Sequence, residues 1–327
     1  MRVIAGKHRG AVLAEFKGQN IRPTSDRAKE AVFNMIQADV EESVCLDLCC
    51  GTGSLGIEAL SRGARKVNFV DVSKDSVELT KKNLQKVREN ASVILSDAIA
   101  YLKGATEKYD IIFIDPPYMD DVSERAVKVI IERNLLSDDG FIVFERDRPF
   151  AHVEGASAFK MRKYGKAYVT LIRKEKRALF AGTFDPFTVG HQEVVELALK
   201  KYDKLNIVVM VNDQKKTAFS LDDRVEMIME IYRNREAVFV DSWNGMLVDY
   251  MKQNALIYNV RGIRNSADLE YEKEMEKYNS NAYESIVYDY IYTDNPVSSS
   301  SVRERVERGE GVGDLVDEKI LKYFENK

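Results

Sequence analysis

Cysteine is scarce in this chain. There are three among 327 residues, Cys45, Cys49 and Cys50, bunched in one short stretch. So few thiols, so close together, exclude a disulfide framework and predict a reducing compartment, the cytoplasm. No histidine lies near enough in sequence to complete a metal set with them, so no protein metal site is expected. Long apolar runs are also missing. No window of about 18 uncharged apolar residues exists, so no transmembrane helix is predicted. The opening Met1-Arg2-Val3-Ile4-Ala5-Gly6-Lys7-His8-Arg9 has no signal-peptide core, and no membrane partner is expected. Internal repeats are absent, and the only homopolymeric run is Ser298 to Ser301.

Strong charge of one sign is lacking overall, with a net charge of −4, but the balance is uneven. Through Lys176 there are 29 Lys/Arg against 26 Asp/Glu; beyond it there are 20 against 27. The length predicts two domains, and the split suggests that they meet different partners, the basic half suiting a polyanion such as RNA.

The first half starts with residues 1–20, read as short strands bearing Arg2, Lys7, His8, Arg9 and Lys17. Arg22-Pro23-Thr24-Ser25-Asp26-Arg27 precedes a helix expected from Ala28 to Gln37, with Ser25 as its cap. This stretch reads either as a solvated, capped extension or as a basic platform for a phosphate backbone. Val44 to Leu48 is then an apolar strand running into Cys49-Cys50-Gly51-Thr52-Gly53-Ser54-Leu55-Gly56, a G-x-G-x-x-G loop that opens a helix. The next strand ends at Asp71, placed to hold a ribose diol. NAD and S-adenosylmethionine both offer one. Two features choose the latter. Asp47, inside the strand before the glycines, can hold a cationic amino acid moiety. Asp115-Pro116-Pro117-Tyr118 ends the apolar strand Tyr109 to Ile114, at the edge where open α/β sheets place ligands. An exocyclic base amine is a poor nucleophile because its lone pair is delocalised into the ring. Asp115 and the Pro116 carbonyl can accept its N–H bonds and turn the lone pair toward an electrophilic methyl, while Tyr118 stacks on the extruded base.

These residues, with Glu58 to Ala64, make residues 1–173 resemble the RsmD family, which methylates guanine N2 in small-subunit (16S) ribosomal RNA with S-adenosylmethionine. The resemblance implies a Rossmann-like methyltransferase fold with Asp115, Pro116 and Tyr118 as catalytic residues. It implies that Asp47, Gly51, Gly53, Asp71 and Asp97 bind the cofactor, with Asp71 on ribose and Asp97 near adenine, and that Arg22, Thr24 and Arg27 hold RNA. Other amino groups, in DNA adenine or protein glutamine, are the alternatives. So is a half that is catalytically silent and only binds RNA or acts as a scaffold.

The second half begins again as a nucleotide-binding fold does. Ala178 to Ala181 is a strand, Gly182-Thr183-Phe184-Asp185-Pro186 a turn, and Thr188-Val189-Gly190-His191 opens a helix whose N–H groups attract phosphate. Alternating strands and helices predict a second parallel sheet. Lys215, Arg261 and Arg264 fall at C-terminal strand ends, and Ser298 to Ser301 start a helix with donors for phosphate. The strand before Arg261 is expected over Leu256 to Val260, and the serines are expected to cap a helix from Val302 to Arg308.

T-x-G-H together with Gly182-Thr183-Phe184-Asp185-Pro186, Lys215, Arg261-Gly262-Ile263-Arg264, Asp268 and Tyr271-Glu272 makes residues 177–327 resemble phosphopantetheine adenylyltransferase, the CoaD family. The implied reaction converts ATP and 4′-phosphopantetheine to dephospho-coenzyme A and pyrophosphate, with His191 stabilising the transition state and Mg²⁺ on the ATP phosphates. The resemblance gives Thr183, Lys215, Leu247 and Arg261 to phosphopantetheine. It gives Thr183, Phe184, His191, Gly262, Ile263, Arg264, Glu272, Asp294, Asn295, Pro296, Val297, Ser298, Ser299 and Ser300 to ATP. Asp294 to Val297 departs from the family, which usually has an aromatic shortly before its serines. A hexamer is the assembly that the resemblance implies. Cytidylyl and nicotinate-mononucleotide adenylyl transfer are the rivals. The expectation is therefore two Rossmann-like α/β domains, 1–175 and 176–327, forming a bifunctional transferase.

Overall fold

The computed structural model describes residues 1–16, 26–115, 122–211 and 216–325, with the backbone alone of Arg27. It divides into two compact units, Met1–Lys174 and Glu175–Lys327.

In the first unit, α1 (Asp26–Met35), β1 (Val44–Leu48), α2 (Ser54–Ser61), β2 (Lys66–Asp71), α3 (Lys74–Lys86) and β3 (Ser92–Leu95) come first. They are followed by α4 (Ala98–Gly104), β4 (Tyr109–Ile114), α5 (Val122–Glu132), β5 (Leu136–Arg146), β6 (Ala156–Tyr164) and β7 (Ala167–Lys174). The sheet order is β3-β2-β1-β4-β5-β7-β6, with β1 to β5 parallel and the β6–β7 hairpin added antiparallel to β5. Because helices cover both faces, the central strands are apolar on both sides. Phe69, Phe113, Val143 and Leu171 pack on one face with Phe33 of α1 and Ile57 of α2. Leu46, Leu48, Ile112, Ile114 and Phe144 pack on the other with Leu102 and Ile130.

The N-terminal residues differ from expectation. Among residues 1–16 strand pairing is limited to one bridge, Arg2 with Val12. The backbone N–H groups of Ile4 and Ala5 are taken instead by the two carboxylate oxygens of Glu58, at 2.8 and 2.9 Å. Glu58 is fully buried on α2 and also pairs with buried Lys29 of α1 at 3.2 Å and with Arg62 at 2.8 Å. Lys29 in turn donates to the Arg2 carbonyl at 2.7 Å. Burial pulls the Lys29 pKa down, and Glu58 opposes this. One carboxylate thus fastens the opening segment and α1 to the helix that follows the glycine loop. Glu58→Ala should leave Lys29 buried without its counter-charge and cost about 3–5 kcal/mol, read as a fall in the first unit's unfolding midpoint; a midpoint near that of the wild type would refute the tether.

The second unit contains β8 (Arg177–Gly182), α6 (Val189–Ala198), β9 (Lys204–Met210), α7 (Leu221–Tyr232), β10 (Val238–Trp243) and α8 (Leu247–Gln253). It continues with β11 (Tyr258–Ile263), α9 (Ser266–Ala282), β12 (Val287–Tyr292), α10 (Ser299–Glu307) and a 3₁₀ segment, Glu318–Phe324. All five strands are parallel, in the order β10-β9-β8-β11-β12. The chain reverses direction across the sheet between β8 and β11, which opens a crevice at their C-terminal ends.

Several boundaries depart from the sequence reading. α1 spans Asp26–Met35 where Ala28 to Gln37 was expected, and its expected cap, Ser25, lies outside the described residues. β11 runs through Arg261, Gly262 and Ile263, because β12 is long enough to pair with each of them; only Arg264 lies past the strand end. α10 begins at Ser299, so Ser298 alone is the cap and the other three serines are helical. No helix among the described residues is long and apolar enough to cross a membrane.

Two candidate active sites

The carboxylates of the first unit converge because of strand register. Asp47 on β1 is level with Phe69 of β2 and Phe113 of β4. Asp71 ends β2, and Asp115 follows the last residue of β4. Between β1 and α2 the chain turns through Cys49, Gly51 and Gly53, all with positive φ. At Gly56 a Cβ would stand 2.3 Å from the Phe69 ring, so only glycine lets α2 sit this close to the sheet.

That close approach brings the Gly56 N–H to within 2.8 Å of Asp47 Oδ2. Asp71 accepts from the N–H groups of Gly51 and Ser73, both at 2.8 Å, so it braces the glycine loop. Asp97 is exposed, caps α4 and accepts from Ala100 N at 2.9 Å. Cys45 and Cys50 are buried, and among the described residues no cluster of His, Cys, Asp and Glu could hold a metal ion. Pro116 and Tyr118, and Arg22 and Thr24, lie outside the described residues, as does the side chain of Arg27.

Asp47 carries the main electrostatic signal. Burial pushes its pKa up to about 8; the Gly56 N–H opposes this, and the neighbouring charges of Asp115 and Asp71 add to it. A buried carboxylate crowded by two others is a seat for a cation. The ligand-free protein should show the consequence. A carboxylate whose folded pKa exceeds its unfolded value binds more protons when folded, so stability falls as pH rises from about 4 to about 8. Asp47→Asn should raise the first unit's unfolding midpoint at pH 8 and leave it unaltered near pH 4; equal shifts at both pH values would show that Asp47 is not the titrating group.

In the second unit, α6 starts with a capping box. Thr188 is the N-cap, and its backbone N–H donates to His191 Nδ1 at 3.0 Å. A ring nitrogen that accepts a backbone N–H carries no proton, so the neutral tautomer bears its hydrogen on Nε2. The imidazole is packed by Phe184 and Phe187, with ring centroids 5.1 and 5.2 Å away. Burial, then the charges of Arg264 and Arg261, lower its pKa to about 4, so the ring is neutral near pH 7.

The rest of the crevice is tied together from several elements. Arg261 forms a bidentate pair with Glu272 of α9, at 2.8 and 2.5 Å, and donates to the Ala181 carbonyl at 2.6 Å. The last bond is possible because the pairing of β8 with β11 stops at Phe180, leaving that carbonyl available. Arg264 pairs with Asp268 at 2.9 Å. Ser299 Oγ donates to the Pro186 carbonyl at 2.8 Å, so α10 is pinned to the loop leaving β8. At Gly190 a Cβ would lie 2.6 Å from the Val297 carbonyl, which makes the helix start and the 293–298 segment neighbours. Within that segment Asn295 Oδ1 accepts from Val297 N at 3.0 Å. Thus Thr183, Phe184, His191, Gly262, Ile263, Arg264, Glu272 and the Asp294–Ser300 stretch gather at one sheet edge. Leu247 opens α8 after β10, and Lys215 lies outside the described residues.

Three further residues brace the crevice; of these the sequence marked Asp185 only as part of a turn, and Arg224 and Arg303 not at all. Buried Asp185 accepts from Ala218 N and Phe219 N, at 2.8 and 2.9 Å. Arg224 donates to the Thr183 carbonyl at 2.6 Å. Arg303 donates to the Asp185 carbonyl at 2.6 Å and to Ser300 Oγ at 3.1 Å. Arg224 and Arg303 had no signal in the sequence, because the groups they reach lie on distant segments of the chain.

A mixed sheet with three carboxylates at the edge of β1, β2 and β4 defines a Rossmann-like methyltransferase. A five-stranded parallel sheet with a capped T-x-G-H helix defines a Rossmann-like nucleotidylyltransferase. The protein is therefore a transferase built from two such domains. Residues 1–173 match the family described as Conserved hypothetical protein 95, and residues 179–305 match the cytidylyltransferase-like family. Ribosomal RNA small subunit methyltransferase D of Haemophilus influenzae is 37% identical over 172 residues, covering 50% of this chain and 89% of that protein. Phosphopantetheine adenylyltransferase of Clostridium botulinum is 36% identical over 155 residues, covering 46% of this chain and 94% of the relative. That of Porphyromonas gingivalis is 38% identical over 148 residues, covering 44% and 96%. The chain belongs to the Conserved hypothetical protein 95 family of RsmD-like methyltransferases through its first half and to the phosphopantetheine adenylyltransferase family through its second.

Proposed function

We propose that the chain carries out two unrelated transfers in the cytoplasm: methylation of guanine N2 in small-subunit (16S) ribosomal RNA, and adenylylation of 4′-phosphopantetheine. For the first, the observation that carries the reading is the raised pKa of Asp47 beside Asp71 and Asp115. The sulfonium and ammonium charges of S-adenosylmethionine would relieve it, which supports a fit of that molecule to this edge; when bound, it supplies an electrophilic methyl group. Asp47 holds the cationic end, Asp71 the ribose, Asp97 the adenine side, and Gly51 and Gly53 admit the ligand close to the backbone. Asp115 and the Pro116 carbonyl accept the amine hydrogens of the target base, with Tyr118 against its face. With the methyl donor held there, Asp115 would keep the amine lone pair turned toward it and would pass the amine proton to solvent. Arg22, Thr24 and Arg27 grip the RNA. The name of the Haemophilus relative supports the RNA class; guanine N2 rests on the RsmD resemblance.

For the second transfer, the carrying observation is the hydrogen bond from Thr188 N–H to His191 Nδ1, which leaves Nε2–H as the donor of the neutral ring. A phosphate oxygen of 4′-phosphopantetheine attacks the α-phosphorus of ATP, and pyrophosphate leaves. His191 donates to the charge that builds on the α-phosphoryl oxygens, Arg264 and the helix N-termini at Gly190 and Ser299 add positive potential, and Mg²⁺ accompanies the ATP phosphates as part of the substrate. Arg261, with Thr183, Lys215 and Leu247, serves phosphopantetheine, and its pairing with Glu272 holds the guanidinium in place. A hexamer through the second unit belongs to the same reading.

The test uses one purified chain in two assays. With S-adenosylmethionine and unmethylated small-subunit RNA it should yield N2-methylguanosine on nuclease digestion. With ATP and 4′-phosphopantetheine it should yield dephospho-coenzyme A and pyrophosphate. Methyl groups on another base or another atom would overturn the first assignment, and a failure to form pyrophosphate the second.

A further inference from the structure

The β6–β7 hairpin has a composition unlike the rest of the chain. From Ala156 to Lys174 there are six Lys/Arg, namely Lys160, Arg162, Lys163, Lys166, Arg173 and Lys174, and no Asp or Glu. Lys160, Arg162, Lys163 and Lys166 are all exposed. Among the described residues β6 is the outermost strand of its sheet. An edge strand studded with cations is a known guard against strand pairing, but that role needs the charges anywhere along the edge. Here register sets one of them in the row of a candidate catalytic residue, with two more toward the ligand edge.

Ile114 of β4 is level with Phe144 of β5, so Asp115 is level with Glu145. Glu145 pairs with Val169 of β7, and Val169 with Arg162 of β6. Arg146 pairs with Tyr168, and Tyr168 with Lys163. Arg162 therefore stands in the same row as Asp115, three strands away. At about 4.8 Å per strand that is about 14 Å, and Lys163 and Lys166 project beyond it on the side where the ligand edge lies. Lys163 sits over the Tyr168 ring, 5.0 Å from its centroid, which fixes one cation in place. Lys160 shares the opposite pleat with Arg162 and reaches the Met35 carbonyl at the end of α1, at 3.2 Å.

We propose that the β6–β7 hairpin, through Arg162, Lys163 and Lys166, binds the phosphate backbone of the RNA a few nucleotides from the base presented to Asp115. The inference rests on the methyltransferase reading of the first unit. At about 3.4 Å per stacked nucleotide, 14 Å corresponds to about four nucleotides. The contact carries no base specificity, because a lysine or arginine on a phosphate sets position and affinity and the base is read elsewhere.

The test compares full-length wild-type protein with the Arg162→Glu/Lys163→Glu/Lys166→Glu chain, using an unmethylated transcript of small-subunit ribosomal RNA as the probe. The Kd for RNA at 0.15 M salt should rise at least about tenfold, and the slope of log K against log salt should flatten by about 2, at about 0.7 per lost contact on a single strand. The loss should enter through KM for RNA. S-adenosylmethionine affinity and adenylyl transfer should stay at wild-type values, which reports that both units are folded. A triple alanine variant should give the same flattening, and Arg162→Lys/Lys163→Arg/Lys166→Arg should restore RNA binding. Wild type that binds and methylates the RNA while the folded variants keep its Kd and salt slope overturns the hairpin surface and leaves the methyltransferase reading standing. Wild type that neither binds nor methylates RNA overturns both.

Discussion

Asp115→Ala should abolish RNA methylation while S-adenosylmethionine still binds. Asp115 follows the last residue of β4, and its charge acts on Asp47 across the β1–β4 gap, which places it at the ligand edge. Its proposed partner is the amine of the target base, not the cofactor. Removing the carboxylate leaves the amine lone pair in conjugation with the ring and takes away the route for its proton. Positioned acid–base groups contribute about 10²–10⁴ in rate, and a loss in that range is expected in kcat at saturating RNA. Cofactor affinity should not fall; removing one of the charges that crowd Asp47 should instead let Asp47 ionise more readily. Adenylyl transfer should be unaltered and serves as the internal control for folding. Asp115→Asn is the informative companion. The amide keeps one acceptor oxygen but cannot take a proton, so it should recover part of the orientation and none of the proton transfer. Near-normal methylation by Asp115→Ala would exclude the assigned role.

His191→Ala is expected to cut adenylyl transfer by about 10²–10³, the usual effect of losing one preorganised donor to a developing charge. The fall should be in kcat, with ATP affinity changed far less, because the donor is needed most where charge builds on the α-phosphoryl oxygens. The capping geometry adds a second expectation. Because Nδ1 already accepts the Thr188 N–H, and because burial and two arginines hold the pKa near 4, the ring remains a neutral Nε2–H donor across the physiological range. The wild-type rate should therefore show no step from His191 between about pH 5 and 8, and His191→Ala should leave the shape of the pH profile unchanged while lowering it throughout. The same depressed pKa bears on stability. The unfolded histidine takes up a proton near its ordinary value of 6.5, so folding stability should decline as pH falls from about 6.5 to about 4. That decline should be missing in His191→Ala. If the variant is folded, binds ATP and turns over at nearly the wild-type kcat, His191 has no part in the chemistry. If it loses ATP binding and stability together, the ring only packs the loop among Phe180, Phe184 and Phe187.

The chemistry of both halves was legible in short motifs because such motifs are local. The run from Asp47 to Gly56 and the run from Gly182 to His191 each form a strand, a turn and a helix start within about 10 residues, and the constraints on them are satisfied by near neighbours in sequence. Apolar strands buried on both faces were equally legible as continuous runs, such as Tyr109 to Ile114. Other features depended on which strand lies beside which. Residues 1–16 looked like strands by composition, yet Glu58, more than 50 positions away, captured their N–H groups and left one bridge. β11 outran its expected end at Val260 because β12 offered partners through Tyr292, a fact of pairing rather than propensity. The pKa of Asp47 could not be read from its neighbours in sequence, since burial and two carboxylates from other strands set it. Nor could the charge environment of His191, which comes from Arg261 and Arg264 at the end of a strand some 70 residues on. Sequence by itself determined the residue types and local geometry of both sites, because those rest on backbone conformation over a few residues. Tertiary structure alone decided which carboxylates share an edge, which arginines charge the surroundings of His191, and that Arg162 of β6 stands in the row of Asp115, because strand pairing joins residues whose order in the chain carries no trace of it.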